Sequence, residues 1–490
     1  MKSLVKMPKK HKISKDWIYF FKEISKIPRG SNKETAIANF LTNCFKEIQA
    51  EVIRDSNNNI VARIPAIDGY ETIPMITLQA HSDMITIKRA NSKHNFKKDP
   101  IKLIFKSNKI TARDTTLGAD NGAGVALILA IFTNIKEQPH GALEAIITSK
   151  EEIGLLGAKQ IDPHLIKGQY LINLDGNNDK KIIIACVGSL IIKANIKLKL
   201  TSNPYLHHFN ITIDHLLGGH SGNDIDKPRI NAIKAIFSII EKINKFGKLS
   251  IGDIQGGTFL NAIPTKASII FSTNLTLAKI KHICKTCVED LKINFPNERQ
   301  LKLQVSKLSN SPFSIDCSQS ENLITFFNQV FNGVWVVNQK YQLPDTSCNL
   351  GKVYIEKQQF HVEFNGRYLN NLHVKKMKMQ IINSLNKVKA IYAIHQGLTW
   401  NSDLKISNFA KDFQNYVQKK FKRKLLFSYA TGGMEPKDLL RRIPSFKVGF
   451  SIGPNITSEH SINETLSISS TDFIYKLLIN LSSMFTNKKN

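Results

Sequence analysis

Apolar residues recur at near-helical spacing through Ile18, Phe21 and Ile24 and again through Ile37, Phe40, Leu41 and Phe45, which predicts helix over 15–50. A turn rich in Asn (Asp55, Ser56, Asn57, Asn58, Asn59) then separates two short β-type runs. The run MetIleThrLeuGlnAla at 75–80 has the continuous apolar character of a buried strand and ends in His81, Ser82 and Asp83. Residues 123–135 predict a helix. The run at 142–148 predicts a second buried strand, ending near Glu151 and Glu152, and the run at 170–174 a third, ending in Asp175.

Three hydrophobic strands thus run into acidic residues or His, with helical segments between them. That is the grammar of an α/β sheet that presents polar groups at the carboxyl ends of its strands, where open α/β sheets bind ligands. From about Ser189 the pattern changes to strands with polar alternation, followed by helices near 232–243 and 280–291. We expect an α/β domain from two segments, 1–190 and 396–490, interrupted by an inserted α+β domain over 191–395. Within the insert, ThrPheLeuAsnAlaIlePro at 258–264 loosely resembles ThrSerCysAsnLeuGly at 346–351, which suggests two related lobes.

Composition narrows the function classes. An apolar fraction of 42% with 22% charged residues suits a folded chain of 490 residues and not a disordered one. Six Cys are too few for a disulfide scaffold and fit a reducing compartment. No apolar run is long enough to span a bilayer, and the lysines at 2, 6, 9 and 10 are followed by too short an apolar stretch for a signal peptide. The net charge of +29 comes from lysines scattered along the whole chain, a pattern of codon bias more than of a nucleic-acid stripe. The CysXaaXaaCys at Cys284 and Cys287 lacks a second ligand pair at zinc spacing and is expected to be two incidental thiols on a helix.

A His together with several carboxylates at strand ends is what one or two divalent cations of zinc type require, and a carboxylate can bridge two such ions. His81 and Asp83, two residues apart, fall on the same side of the strand end, so Asp83 can fix the tautomer of His81.

The motifs carrying this chemistry are LeuGlnAlaHisSerAspMet (78–84), ThrThrLeuGlyAlaAspAsnGlyAlaGly (115–124), GluGluIleGlyLeuLeuGlyAla (151–158), LeuIleAsnLeuAspGly (171–176), GlyGlyHisSerGly (218–222), GlyGlyThrPheLeuAsnAlaIlePro (256–264) and SerIleGlyProAsnIleThrSerGluHisSer (451–461). In this order and spread over nearly the whole chain, they resemble the M20 family of metal-dependent peptidases, and within it the aminoacyl-histidine dipeptidases. The resemblance implies a zinc-peptidase-like α/β domain, with a mixed central sheet flanked by helices, under an inserted α+β lid. It implies two zinc ions, with manganese or cobalt as substitutes: His81 and Asp175 on one, Glu152 and His460 on the other, and Asp120 bridging both ahead of a cis peptide to Asn121. Glu151 would be the general base, Asp83 would orient His81, and His220 in the lid would stabilise the oxyanion. Asn231, Asn261, Arg367 and Glu435 match substrate-contact positions. The sequence departs from the family pattern at Asp114, Lys150, Gly176–Asn178 and Thr431, none of them a metal ligand.

These observations favour a cytoplasmic dipeptidase, compatible with a homodimer, with no nucleic-acid or membrane partner. A family relative acting on tripeptides or N-acyl amino acids, and a silent basic binding protein on the same fold, stand as alternatives. If the positive charge is dispersed, duplex DNA should bind weakly and be released as salt rises, because only counterion release would drive it. Filter binding across a salt series checks this; tight, sequence-selective binding at physiological salt would contradict it.

Overall fold

The computed structural model describes residues 16–309, 313–400 and 406–486; the lysines at 2–10 lie outside them. The chain divides into two compact units. One comprises Met1–Ala185, Leu404–Ala430 and Met434–Asn490; the other comprises Cys186–Asp403 with the short return Thr431–Gly433.

The first unit is built on an eight-stranded mixed sheet. In spatial order its strands are Glu51–Arg54, Ile60–Ile64, Leu143–Thr148, Ile76–His81, Tyr170–Asn173, Val448–Ser451, Lys181–Cys186 and Leu426–Ala430. The four central strands are mutually parallel, with Ile76 opposite both Leu143 and Tyr170, and Val448 opposite Tyr170. Their burial is nearly complete, which is why they read as unbroken apolar runs. Parallel strands all end on the same edge, so the residues after His81, Thr148, Asn173 and Ser451 converge there.

The helix Ala119–Asn134 is apolar on every side and buried from Ala123 to Phe132, a central helix of the core and not an amphipathic surface one. Trp17, Phe20, Phe21 and Ile24 pack into the same core.

The single helix expected over 15–50 is in fact two, Asp16–Ser25 and Thr35–Glu47. The apolar periodicity continues on both sides of the break, but Pro28 and Gly30 cannot extend a helix favourably and Asn32 takes a positive φ of 67°.

The second unit carries a nine-stranded sheet over a single apolar core. It falls into two halves of the same β-α-β-β-α-β design. In one, the strands Lys302–Leu308, His207–Asp214, Ala267–Thr273 and Leu249–Gly256 lie side by side in that order. In the other, Ile391–Gln396, Gly188–Lys197, Gln359–Tyr368 and Leu343–Glu356 do the same, and the ninth strand, Gly333–Asn338, is an addition to this half that pairs with Leu343–Glu356. The halves join where Gln255 and Gly256 pair with Tyr354 and Val353. Cys284 and Cys287 are buried, unbridged thiols on the helix Leu277–Asn294, and burial pushes Cys284 up to about 12.

Away from the converging strand ends, Glu144 is fully buried and held by Arg63 at 2.8 Å, by Thr77 Oγ1 and by the Lys167 and Gly168 N–H groups. Arg63→Met would strand that carboxylate in a low-dielectric interior, at a cost of about 3–5 kcal/mol. Denaturant titration should show this loss; unchanged stability would mean that the pair contributes nothing.

Candidate metal centre

The converging strand ends gather seven ionisable side chains. His81 is the last residue of its strand and is buried. Its Nε2 lies 3.0 Å from Asp120 Oδ1, 3.6 Å from Asp175 Oδ1 and 4.0 Å from Glu151 Oε2. The other Asp120 oxygen stands 3.1 Å from His460 Nε2, which is itself 3.0 Å from Glu152 Oε2. His460, although 285 residues beyond Asp175 by the arithmetic 460 − 175, is therefore in direct contact with Glu152.

The donor atoms of His81, Asp120 and Asp175 lie within 4.8 Å of one another, and so do those of Asp120, Glu152 and His460. Asp120 belongs to both groups. Its peptide bond to Asn121 is cis.

Asp83 has no exposed surface. Its Oδ1 accepts the Glu151 N–H at 3.0 Å; its Oδ2 accepts the Glu152 N–H at 3.3 Å and the Ser31 hydroxyl at 2.7 Å. The Nδ1 of His81 is 3.2 Å from the Asp83 backbone carbonyl and 3.5 Å from its carboxylate. The tautomer of His81 is thus fixed mainly by the backbone, while the Asp83 side chain holds the paired glutamates. The two glutamates can serve one cluster because the chain turns sharply after Ser149: Lys150 has a φ of 53° and Gly154 one of 110°.

Burial without enough positive charge dominates the electrostatics. Desolvation, with Asp120 and Glu152 adding to it, pushes Asp175 up to about 7. Desolvation also raises Glu151 well above the carboxylate range, against the pull of His81. Burial works against a charged ring at His460, yet Asp120 and Glu152 outweigh it and raise the ring to about 11. Asp120, although buried, is held low by His460 and His81. Glu152 Oε1 is buried and has no hydrogen-bond partner. An oxygen so placed, in a set of imidazole and carboxylate donors, fits a divalent cation of zinc type.

The residues expected to contact substrate are differently placed. Glu435 has no exposed surface; its Oε2 is held by Gln79 Nε2 and by Thr148 Oγ1 at 2.7 Å, and burial pushes it up to about 7. It braces the strands Ile76–His81 and Leu143–Thr148 from inside, and is not a surface contact.

Asn231, in the second unit, caps the helix Ala232–Phe246. Its Oδ1 accepts the Ile233 and Lys234 N–H groups and its Nδ2 donates to the Leu350 carbonyl at 2.9 Å. Its amide is committed to the fold. The signal was available, since Asn before an apolar helical run is a favoured N-cap.

His220 and Arg367 lie together in the same unit: Arg367 Nη2 is 3.2 Å from His220 Nε2, and Nη1 donates to the Thr431 carbonyl at 3.1 Å. Burial lowers Arg367 to about 10, and its Nε has no partner. Asn261 is exposed, and its carbonyl accepts the Ser221 N–H beside His220.

Two residues that sequence reasoning passed over also belong to the first unit's cluster. Arg29 and Glu464 are both buried and contact the chain around Asp120.

Comparison with known proteins gives relatives that span almost the whole chain. The cytosol non-specific dipeptidase of Escherichia coli K12 is 30% identical over 471 residues, 94% of this chain and 96% of that protein. This chain belongs to the M20 metallopeptidase family. A profile described as Peptidase family M28 matches residues 59–211, and one described as Peptidase dimerisation domain matches 208–297. The crystal structure of the aminoacylhistidine dipeptidase from Vibrio alginolyticus superposes with a TM-score of 0.78 at 25% identity, covering 96% of this chain and 98% of that one. The aminopeptidase PepT of Bacillus cereus shares the fold, with a TM-score of 0.54 at 17% identity over 96% and 98% of the two chains. No helix among the described residues is long and apolar enough to cross a membrane.

If Asn231 is a cap and not a substrate contact, Asn231→Ala should destabilise this peptidase by about 1 kcal/mol. Thermal unfolding together with steady-state kinetics checks this: a lower Tm with unchanged KM is expected, and a raised KM at unchanged Tm would restore a substrate role.

Proposed function

We propose that the chain is a dinuclear zinc dipeptidase that hydrolyses free dipeptides, Xaa-His among them, in the cytoplasm. The observation carrying this reading is that Asp120 is common to two groups of donors, each with its own histidine. His81 and Asp175 would hold one ion, Glu152 and His460 the other, with Asp120 between them. The names of the Escherichia coli and Vibrio relatives support the substrate class. When bound, the ions would polarise the peptide carbonyl and acidify a water molecule.

Glu151 carries no metal in this assignment. It is the carboxylate that takes the proton from the attacking water and returns it to the leaving amine. Its main chain is fixed by Asp83 at 3.0 Å, so its side chain starts from a held backbone. The cations would stabilise its ionised form, which burial alone disfavours.

In the second unit we assign Arg367 to the substrate's carboxylate. Arg367 is a half-buried guanidinium that forms no ion pair with a carboxylate among the described residues and whose Nε has no hydrogen-bond partner, a setting that favours an anion. His220 beside it is assigned to the oxyanion of the tetrahedral intermediate.

The adjacent glutamates separate this mechanism from a purely structural acidic cluster. Glu152→Ala should lower metal content and activity together. Glu151→Gln should keep the metal but lose on the order of 10²–10⁴ in kcat, because the amide cannot accept the proton. Metal analysis and kinetics on Xaa-His and other dipeptides check both. Metal loss in Glu151→Gln, with full occupancy and turnover in Glu152→Ala, would contradict the assignment.

A further inference from the structure

Five loops, each beyond a strand or before a helix, carry or directly follow the groups assigned to the metals and the base. A carboxylate there must be held within a few tenths of an ångström to serve as a ligand. The break between the two N-terminal helices lies against three of these loops.

Arg29 is buried and donates through Nη1 to the carbonyls of Ser82 at 3.0 Å and Asp83 at 3.1 Å, and through Nη2 to the carbonyl of Gly118. Its own carbonyl accepts the Met84 N–H. Ser31 donates to the Asp83 carboxylate, and Glu34 accepts the N–H of Lys150, the residue before the paired glutamates.

From the other side, Glu464 accepts the N–H groups of Leu117 at 2.8 Å, Gly118 at 2.9 Å and Asp120 at 3.1 Å. Glu464 follows His460 by four residues, so the same carboxylate ties the His460 loop to the Asp120 loop.

Two glycines of the 115–124 motif are accounted for by this grip. A Cβ on Gly118 would come within 2.5 Å of the Arg29 Nη2, and one on Gly122 within 2.6 Å of it. Gly118 also has a φ of 71°. The motif leaves room for a guanidinium.

We infer that Arg29 and Glu464 are positioning residues of the metal centre: they clamp the chain at Gly118 from opposite sides, Arg29 on its carbonyl and Glu464 on its N–H, and so set where Asp120 stands between the two histidines. This rests on the metal-centre reading above. A fork of donors suits the Arg29 position because three carbonyls from two loops converge there, which an ammonium group cannot reproduce with the same geometry. Glu464 suits its position because an ionised carboxylate can accept from three N–H groups at once.

The test uses the full chain with Co2+ as the probe. Wild type, Arg29→Lys, Glu464→Gln and the milder Glu464→Asp are compared by far-UV circular dichroism, cobalt titration followed by visible absorption, and kcat and KM for dipeptide hydrolysis. Arg29→Lys and Glu464→Gln should keep the wild-type circular dichroism but bind cobalt about 10- to 100-fold more weakly. Their d–d spectrum should change, and kcat should fall with little change in KM. A merely structural role would lower stability and leave the spectrum of bound cobalt unaltered. Folded variants with wild-type cobalt affinity and spectrum would overturn the inference. Should the buried substitutions prevent folding, Glu464→Asp decides, because it withdraws the same carboxylate from the Leu117, Gly118 and Asp120 N–H groups: a smaller loss of affinity with an altered spectrum supports the clamp, and wild-type affinity and spectrum overturn it. Failure of the wild type itself to take up cobalt would overturn the metal-centre reading and, with it, this one.

Discussion

Five carboxylates and two imidazoles share one edge of a buried parallel sheet, and their mutual repulsion is the constraint from which the rest follows. Asp83, Asp120, Glu151, Glu152 and Asp175 are brought together by strand ends and loops that the apolar core fixes in place. Without added cations burial favours held protons: it pushes Asp175 up to about 7 and Glu151 well above the carboxylate range, while the His81 and His460 rings hold Asp120 low against its own burial. Divalent cations would replace those protons. A fold that drives like charges together against desolvation is stable only if something positive belongs there, which is why the arrangement indicates a metal centre more strongly than any one of its residues does.

The supporting interactions around the cluster are of one type. Asp83 takes the N–H groups of both glutamates, Glu464 takes those around Asp120, and Arg29 takes the facing carbonyls. In each case an ionised side chain holds irregular backbone, where neither helix nor sheet can satisfy the peptide groups. The backbone beside the ligands is therefore held by side chains where it lies outside regular structure. Deeper in the sheet, Gln79, Thr148 and Glu435 form a buried group of side-chain to side-chain hydrogen bonds.

Much of this was legible along the chain. Buried parallel strands are continuously apolar, so the runs before His81, Glu151 and Asp175 announced both the sheet and the edge where chemistry would sit. The distant His460 was reached only through its motif, since no local periodicity relates it to Glu152. What the pattern hid was the clamp. Apolar spacing persists across the break at 26–34, so the segment read as helix, although Pro28 and Gly30 stood within it as breakers. Arg29 gave no signal along the chain because its partners are backbone carbonyls, which leave no mark on sequence. Asn231 and Glu435 were read as matching substrate-contact positions, and the structure adds hydrogen bonds by which both also support the fold. The paired β-α-β-β-α-β halves of the second unit showed only as a faint internal likeness, because strand order is a property of pairing and not of residue type.

The central claim is that one carboxylate, Asp120, is shared by two ions. A crystal of the zinc-loaded chain, with anomalous diffraction recorded on both sides of the zinc edge, tests it most directly. The account predicts two anomalous peaks, one against His81 and Asp175 and the other against Glu152 and His460, with Asp120 bonded to both. A single peak, or two peaks of which only one touches Asp120, would contradict it.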